Sequence, residues 1–258
     1  MIFRPTTLAA GWRSVALAAS KDKDRPILTG VLVEQYAEGL RLVATDSYMA
    51  LHAFVPSLEA EIGFDPEPLL DESPIASCIV ADPDGRGRGL LAYAAQLAAK
   101  DNLDEIRVDL GVIAHEDEDA PSFAGMEARW CVIEVSERER VKLRLIEGEY
   151  PAWRALFAGH EAEETKNVAL NLELLARLSK LPKITGCKVL RWEFHGETAA
   201  AAVTLDESFP HVSGLVMPCR WDVYDNKPEP PEDDPTDGMD PLETSTIESD
   251  SNEIEPGA

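Results

Sequence analysis

Residues 25–34 read RPILTGVLVE, and residues 40–51 read LRLVATDSYMAL. Both stretches are rich in the branched apolar residues that favour strands, and Ala37-Glu38-Gly39 between them has the composition of a turn. We therefore predict two strands, over residues 27–36 and 40–55. Upstream, residues 1–7 predict a short strand, and residues 8–20 have helical spacing. The N-terminal segment is thus predicted to form a unit of strand, helix and two strands.

This order of elements recurs twice further along the chain, which indicates an internal repeat. The second unit is predicted to have a turn that begins at Asp82 between its first strand and its helix, with the elements over residues 76–81, 89–100, 105–114, 128–136 and 140–146. The third unit is predicted to have a helix that Pro182 stops, with the elements over residues 167–172, 173–181, 188–196, 199–205 and 212–219. The predicted fold class is α+β, built from three strand-helix-strands units.

The composition is that of a folded globular protein. Of 258 residues, 45% are hydrophobic and 28% charged, which is enough apolar material for one large or two modest domains. No run approaches the roughly 20 apolar residues of a membrane span, and the first residues lack the apolar core of a secretion signal. We therefore expect a cytoplasmic protein. The four cysteines are dozens of residues apart, so we expect reduced thiols rather than a zinc site or disulfides.

The charge is strongly acidic but unevenly distributed. The formal net charge is −24, and from Asn226 onward there are 11 acidic residues and one lysine. This segment also contains many Pro, Ser and Thr residues and few large apolar ones, so residues 225–258 are predicted to be a disordered acidic tail. Residues 59–74 and 115–125 are predicted to be loops by similar composition.

Basic residues nevertheless occur on or beside each predicted helix, on the face that packing would leave to solvent. One interpretation is a surface that contacts nucleic-acid phosphates; the other is an ordinary solvated face, with cations near helix C-termini where the macrodipole favours them. The residues are Arg13, Lys21, Lys23, Arg86, Arg88, Lys100, Arg177, Lys180 and Lys183.

Three stretches resemble the bacterial beta sliding clamps, the beta subunit of DNA polymerase III. Residues 25–34 and 40–51 resemble a strand pair of the clamp's middle domain, which ends in Ala-Thr-Asp-Gly. Residues 144–154, RLIEGEYPAWR, resemble the strand and turn that close the same domain. Residues 214–220, GLVMPCR, are similar to the C-terminal strand of the family. The three occur in family order.

The resemblance implies a DNA-clamp fold, with helices toward a central hole and antiparallel sheets outside. It implies a processivity factor that is not an enzyme, encircles double-stranded DNA without sequence preference, and tethers DNA polymerase and clamp loader through short linear peptides. A clamp-like module that captures replication partners without encircling DNA is the alternative. Bacterial clamps have three domains, whereas this chain is predicted to have one complete domain, 1–148, made of half-units 1–58 and 75–148, and a partial one, 149–224. A homo-oligomer is therefore expected, although three half-units per chain leave its closure open.

The resemblance also implies an apolar cleft for partner peptides between the two predicted domains. Carried over position by position, it consists of Arg25, Leu28, Thr45, Ser47, Tyr48, Met49, Pro151, Ala155, Leu156, Leu215, Val216, Met217, Pro218 and Arg220. The family usually has Gly-His-Arg after Thr-Asp, where this chain has Ser47-Tyr48-Met49, so the polar rim differs. For each position, an ordinary core or turn role stays the alternative.

Other candidate sites carry weaker signals. The stretch GRGRG at 85–89 lacks the Gly-Lys-Ser/Thr ending of a phosphate-binding loop, and the acidic run after His115 lacks the spacing of a calcium loop. No serine lies in a Gly-x-Ser-x-Gly elbow, and no nucleophile, base and orienting group come together. We therefore expect no catalytic residue, no metal site and no cofactor. A metal-dependent nuclease is the least favoured reading.

Overall fold

A computed structural model describes residues 1–60, 73–81, 105–109, 130–136, 139–157, 165, 167–205 and 210–219. All of them belong to one compact unit, Met1–Arg220. Several predicted features lie outside the described residues: the turn and helix at 82–100, the loop at 115–125, most of the loop at 59–74, and the tail at 225–258.

The first unit contains β1 (Ile2–Phe3), α1 (Pro5–Val15), α2 (Pro26–Thr29), β2 (Gly30–Gln35), β3 (Gly39–Thr45) and β4 (Met49–Pro56). Two predictions were wrong here. Residues 26–29 form a helical turn, because Pro26 suits the first turn of a helix, and the strand begins only at Gly30. The expected strand over 40–55 is two strands, because Asp46 accepts hydrogen bonds from the backbone N–H groups of Tyr48 and Met49 and so closes a turn.

The second unit contributes β5 (Ala76–Ala81), β6 (Ile106–Asp109), β7 (Trp130–Ser136) and β8 (Glu139–Ile146). It exchanges strands with the first unit: β1 pairs with β6, and β5 pairs with β2. The first strand of each unit therefore lies beside a strand of the other unit: β1 beside β6, and β5 beside β2. The recurrence of strand order that the sequence predicted is present in these pairings.

The third unit follows a connection that includes α3 (Arg154–Phe157) and contains α4 (Leu172–Leu178), α5 (Leu181–Thr185), β9 (Leu190–Glu193), β10 (Ala201–Leu205) and β11 (His211–Val216). Pro182 does not simply end a helix: it lies in the first turn of α5, where its missing N–H costs nothing. The strand predicted over 167–172 is reduced to a single bridge between Ala169 and Cys219.

The described strands form one antiparallel sheet in the order β1-β6-β7-β8-β5-β2-β3-β4-β11-β10-β9. Its inner face packs on α1, whose Leu8, Trp12 and Val15 are fully buried and spaced to lie on one helix face. The same core includes Leu174 and Leu178 of α4. The third unit thus shares the hydrophobic core of the first, and its helices lie on the same side of the sheet as α1.

The pairing of β4 with β11 joins the first unit to the third. It runs over six residue pairs, from His211 opposite Phe54 to Val216 opposite Met49. Gly214 lies in the middle of this ladder, where a Cβ atom would be 2.5 Å from the carbonyl oxygen of Ala50 and 2.3 Å from a methyl group of Leu51. The two backbones approach this closely because position 214 has no side chain.

Three further properties concern the described residues as a group. None of their helices has both the length and the apolar composition that crossing a membrane requires. Cys78, Cys187 and Cys219 are free thiols. Within the same residues, no three His, Cys, Asp or Glu side chains are grouped so that they could hold a metal ion.

We predict that Gly214→Ala lowers the free energy of unfolding by about 1–3 kcal/mol, because the added methyl group must push the β4 backbone away. Urea denaturation of both proteins would measure the difference. Ser213→Ala, on the neighbouring residue and the opposite face, is the control and should change stability by less than about 0.5 kcal/mol. Equal effects of the two substitutions would contradict the close approach at Gly214.

Candidate functional site

The turn between β3 and β4 is held by its own polar side chains. The Ser47 N–H donates to Thr45 Oγ1 at 3.1 Å, and Thr45 Oγ1 donates to the carbonyl oxygen of Met49 at 2.9 Å. Ser47 has a φ of 79°, a left-handed conformation that glycine adopts more easily. These bonds fix a tight turn in which Tyr48 points to solvent.

Tyr48 and Met217 form an exposed apolar pair where β4 meets the end of β11. The Met217 N–H donates to the carbonyl oxygen of Tyr48 at 2.8 Å, which fixes the two backbones side by side. The Tyr48 side chain is 64% exposed and Met217 is 43% exposed. Large apolar side chains that are exposed next to each other are typical of a binding surface. The structure therefore brings these two predicted cleft residues together.

Arg25 provides a cationic group at the same turn. Its Nη1 donates to Ser47 Oγ at 3.0 Å, and its Nε donates to Asp22 Oδ2 at 2.9 Å. The hydrogen bond from Arg25 holds the pKa of the Asp22 carboxyl group below its usual value. Arg25 is exposed, and its bond to Ser47 places its guanidinium beside the turn that carries Tyr48.

The outer face of the sheet forms the floor beside this pair. Thr45, Ala50 and Leu215 lie opposite one another across β3, β4 and β11. Met49 and Val216 are neighbours of these residues, and because side chains alternate along a strand they point to the other face. Both are fully buried in the core around α1. They therefore lie beneath the outer face at which the cleft was predicted.

The remaining predicted cleft residues are in segment 150–157, in α2, after β11, or outside the described residues. Trp153 is buried against Leu32, Val43 and Ile79 and anchors this segment on the sheet. Pro151, Ala155 and Leu156 are exposed, Leu156 to 48%. Leu28 is buried in α2, and Pro218 is partly buried after β11. Arg220 lies outside the described residues.

Segment 150–157 is fixed by a charged network that the sequence analysis missed. Arg154 donates from Nη1 and Nη2 to the two carboxylate oxygens of Glu34, at 2.9 and 2.7 Å. Arg154 also donates to the hydroxyl of Tyr36, and its guanidinium lies over the Trp153 ring. Glu34 is only 3% exposed, so it needs such a partner. A signal was present in the sequence, since Glu34 and Arg41 interrupt otherwise apolar strands.

The pKa of His52 is lowered to about 3 in the same region. Burial is the main cause, and the nearby cations Arg41 and Arg154 add to it. The ring packs against Trp153 and Phe157, with centroids 5.6 and 4.9 Å apart. His52 is therefore neutral in the folded protein at neutral and mildly acidic pH.

The basic residues predicted to face DNA are placed differently from one another. Lys21 and Lys23 are exposed in the loop before α2, and Lys180 and Lys183 are exposed around α5. Arg13 is partly buried in the last turn of α1. Arg86, Arg88 and Lys100 lie outside the described residues.

Arg177 has a structural role that the sequence did not indicate. Its Nε donates to the carbonyl oxygen of Leu17 at 2.6 Å, and its Nη1 forms an ion pair with Asp46. It therefore links α4 of the third unit to the turn of the first unit that carries Tyr48. Nε and Nη1 of this guanidinium are engaged in these contacts, and the side chain is 26% exposed.

We predict that the free energy of unfolding falls as the pH drops below about 6.5, because unfolded His52 takes up a proton that the folded protein excludes. The loss extends down to the folded pKa of about 3. Between pH 7.5 and 5.5 the native chain should lose about 1.4 kcal/mol more than His52→Gln, as measured by urea denaturation of both proteins. Parallel pH profiles for the two proteins would contradict the burial of a neutral His52.

Comparisons with known proteins give matches in structure only. No protein-family model and no curated protein sequence matches the chain. The structure is similar to the DNA polymerase III beta chain of Streptococcus pneumoniae, with a TM-score of 0.55 and 14% identity over 85% of this chain and 64% of that one. The beta subunit of Thermotoga maritima matches with a TM-score of 0.56 and 14% identity, over 85% of this chain and 65% of that one.

A DnaN sliding clamp of Pseudomonas aeruginosa bound to griselimycin also matches, with a TM-score of 0.55 and 14% identity over 85% of this chain and 65% of that one. This chain therefore spans slightly less than two thirds of the length of these solved clamps. The predicted clamp fold, α+β with antiparallel sheets, is confirmed. The chain has the fold of the bacterial DNA polymerase III beta sliding clamps.

Proposed function

We propose that this protein is a DNA sliding clamp, a processivity factor without catalysis of its own. The observation that carries the proposal is the clamp fold together with an exposed apolar site at the β4–β11 junction. In this role the protein encircles double-stranded DNA and holds DNA polymerase and other replication proteins on it. The described residues support binding rather than chemistry, since their perturbed groups, such as His52 and Tyr36, lie in packing and ion-pair networks.

The proposed partner site is the cleft bordered by Tyr48, Met217 and Leu156, with Leu215 in its floor and Arg25 at its rim. Such a site fits a short extended peptide with Leu or Phe side chains as anchors. Arg25 would face a peptide carbonyl or carboxylate group. Tyr48 stands where the family usually has histidine and adds aromatic surface, so anchors with aromatic rings are favoured.

The proposed DNA contacts are the exposed lysines near the helices. Lys21, Lys23, Lys180 and Lys183 can approach phosphates without giving up an internal partner that holds the fold. Contacts of this kind are independent of sequence and weaken with salt, as sliding requires. Arg13, Arg86, Arg88 and Lys100 stay in the proposal as further contacts, whereas Arg177 is left out because of its ion pair with Asp46.

The proposed organisation is one complete domain, 1–148, and a partial domain, 149–224, followed by the acidic tail. The protein is proposed to act as a homo-oligomer. The strongly acidic exterior would discourage DNA from binding outside the assembly. The proposed clamp loader would recognise the same cleft as the polymerase.

We predict that a peptide of the Gln-Leu-x-Leu-Phe type binds the full chain with a Kd in the micromolar range, measured by calorimetry. Met217→Glu should abolish the binding, because the apolar anchor of the peptide would remove water from the introduced carboxylate without offering it a partner. Ile75→Glu is the matched control, since Ile75 is also apolar and 69% exposed but lies before β5. Loss of binding in both variants, or in neither, would count against the cleft.

We predict that Lys180→Glu combined with Lys183→Glu weakens binding to a 30-base-pair duplex at least tenfold and lowers its dependence on salt. Fluorescence anisotropy at several salt concentrations would measure both effects. Arg4→Glu with Arg107→Glu, the same change of charge on the β1–β6 side, is the control and should bind like the native chain. Peptide binding without any DNA binding by the native chain would favour the alternative, a module that captures replication partners without encircling DNA.

A further inference from the structure

Asp46 uses its two carboxylate oxygens for two different parts of the fold. Its Oδ1 accepts hydrogen bonds from the backbone N–H groups of Tyr48 and Met49, at 2.9 and 2.8 Å. Its Oδ2 pairs with Nη1 of Arg177, which belongs to α4 and lies 131 residues further along the chain. One carboxylate therefore closes the turn that presents Tyr48 and also receives a cation from the third unit.

Arg177 reaches Asp46 in a fixed direction. Its Nε donates to the carbonyl oxygen of Leu17 at 2.6 Å, and Leu17 lies in the short helical turn Ala16–Ala18 that follows α1. The guanidinium is planar and rigid, so a bond at Nε sets the direction in which Nη1 points. A lysine at this position has a single nitrogen at the end of a flexible chain and could not reproduce the two-point contact.

The orientation of the Asp46 carboxylate decides whether it can hold the turn. Rotation of a carboxyl group about its bond to Cβ is soft, so the side chain by itself has no strong preference. The ion pair at Oδ2 restricts this rotation and directs Oδ1 at the N–H groups of the turn. The restriction matters because Ser47 has a φ of 79°, a conformation that a residue other than glycine keeps only with supporting contacts.

The position of Tyr48 on this turn affects the shape of the proposed cleft. Its carbonyl oxygen accepts the hydrogen bond from the Met217 N–H at 2.8 Å, and its side chain is 64% exposed. A different backbone path through residues 46–49 would move the tyrosine ring relative to Met217. A continuous chain of hydrogen bonds therefore links Arg177 to the apolar pair at the border of the cleft.

The exposure of the ion pair indicates what it contributes. The side chains of Arg177 and Asp46 are 26% and 14% exposed, so water reaches both. Partly solvated pairs of this kind contribute little net stability, because desolvation and the loss of side-chain entropy offset the attraction. The main effect of the pair is therefore expected on the geometry of the turn rather than on the stability of the fold.

We propose that Arg177 and Asp46 are positioning residues of the partner-peptide cleft. Arg177 orients the Asp46 carboxylate, and this carboxylate holds the turn so that Tyr48 borders the cleft together with Met217. Neither member of the ion pair touches the peptide. The inference rests on the proposed peptide binding, and it adds that a residue of the third unit controls recognition at a turn of the first unit.

Calorimetry with the full chain and a peptide of the Gln-Leu-x-Leu-Phe type tests the effect on recognition. Arg177→Gln and Asp46→Asn should each weaken binding about tenfold, and the double variant should weaken it no further, because each single variant already breaks the same contact. Asp46→Asn keeps an oxygen for the turn and loses only the charge. Arg177→Lys should bind with intermediate affinity. Lys188→Gln, at an exposed cation elsewhere in the third unit, is the control and should bind like the native chain.

Hydrogen exchange of the backbone amides, followed by NMR, tests the positioning of the turn without any peptide. In Arg177→Gln the amides of Tyr48 and Met49 should exchange about tenfold faster than in the native chain, whereas the amides of β2 should keep their native rates. Native rates in β2 also show that the variant is folded. A purely structural role of the pair would instead raise all of these rates together.

Three results would overturn the proposal. The first is exchange at Tyr48 and Met49 that is unchanged, or that rises only together with exchange in β2. The second is a peptide affinity of both single variants within about twofold of the native chain, and the third is additive losses in the double variant. A native chain that binds no peptide would contradict the proposed function, and the exchange rates alone would then decide whether Arg177 positions the turn.

Discussion

The pairing of β4 with β11 is the contact on which the other features depend. It connects strands about 155 residues apart along the chain, so the entropy of closing that long loop must be offset by the six residue pairs and the core beneath them. The ladder places α4 and α5 beside α1, and it sets Tyr48 next to Met217. It also leaves β9 at the outer border of the sheet. The shared core and the neighbouring positions of Tyr48 and Met217 therefore follow from one antiparallel contact.

Two ion pairs between distant segments add specificity to this arrangement. Glu34 with Arg154 holds segment 150–157 on the sheet, and Asp46 with Arg177 holds α4 on the β3–β4 turn. Removing one member of such a pair leaves a poorly solvated charge, so the pairs favour one arrangement over others even where their net contribution to stability is small. Both pairs end at the borders of the proposed cleft. The geometry of the cleft is thus tied to the way the units are joined.

The proposed cleft differs from the pattern of the family at its turn. Ser47 adopts the left-handed conformation at the position where the resemblance has glycine, and its hydroxyl accepts a hydrogen bond from Arg25. Tyr48 then presents an aromatic ring at the rim. The change replaces a glycine and a polar rim by a turn that is held by side chains and a more apolar border. A different preference among partner peptides is the expected consequence.

The sequence alone determined the fold class, the repeat of strand-helix-strands units and most strand positions, because alternation and turn composition are local properties. It did not reveal the turn at Asp46 or the helical turn at Pro26, since strand-forming residues continue on both sides of each. Nor could it separate Leu215, on the outer face of the sheet, from Met49 and Val216, in the core, because the face of each residue depends on the register between β4 and β11. The role of Arg177 depended on Asp46, 131 residues away. These features were decided by tertiary structure, because burial, register and ion pairing are set by residues that only folding brings together.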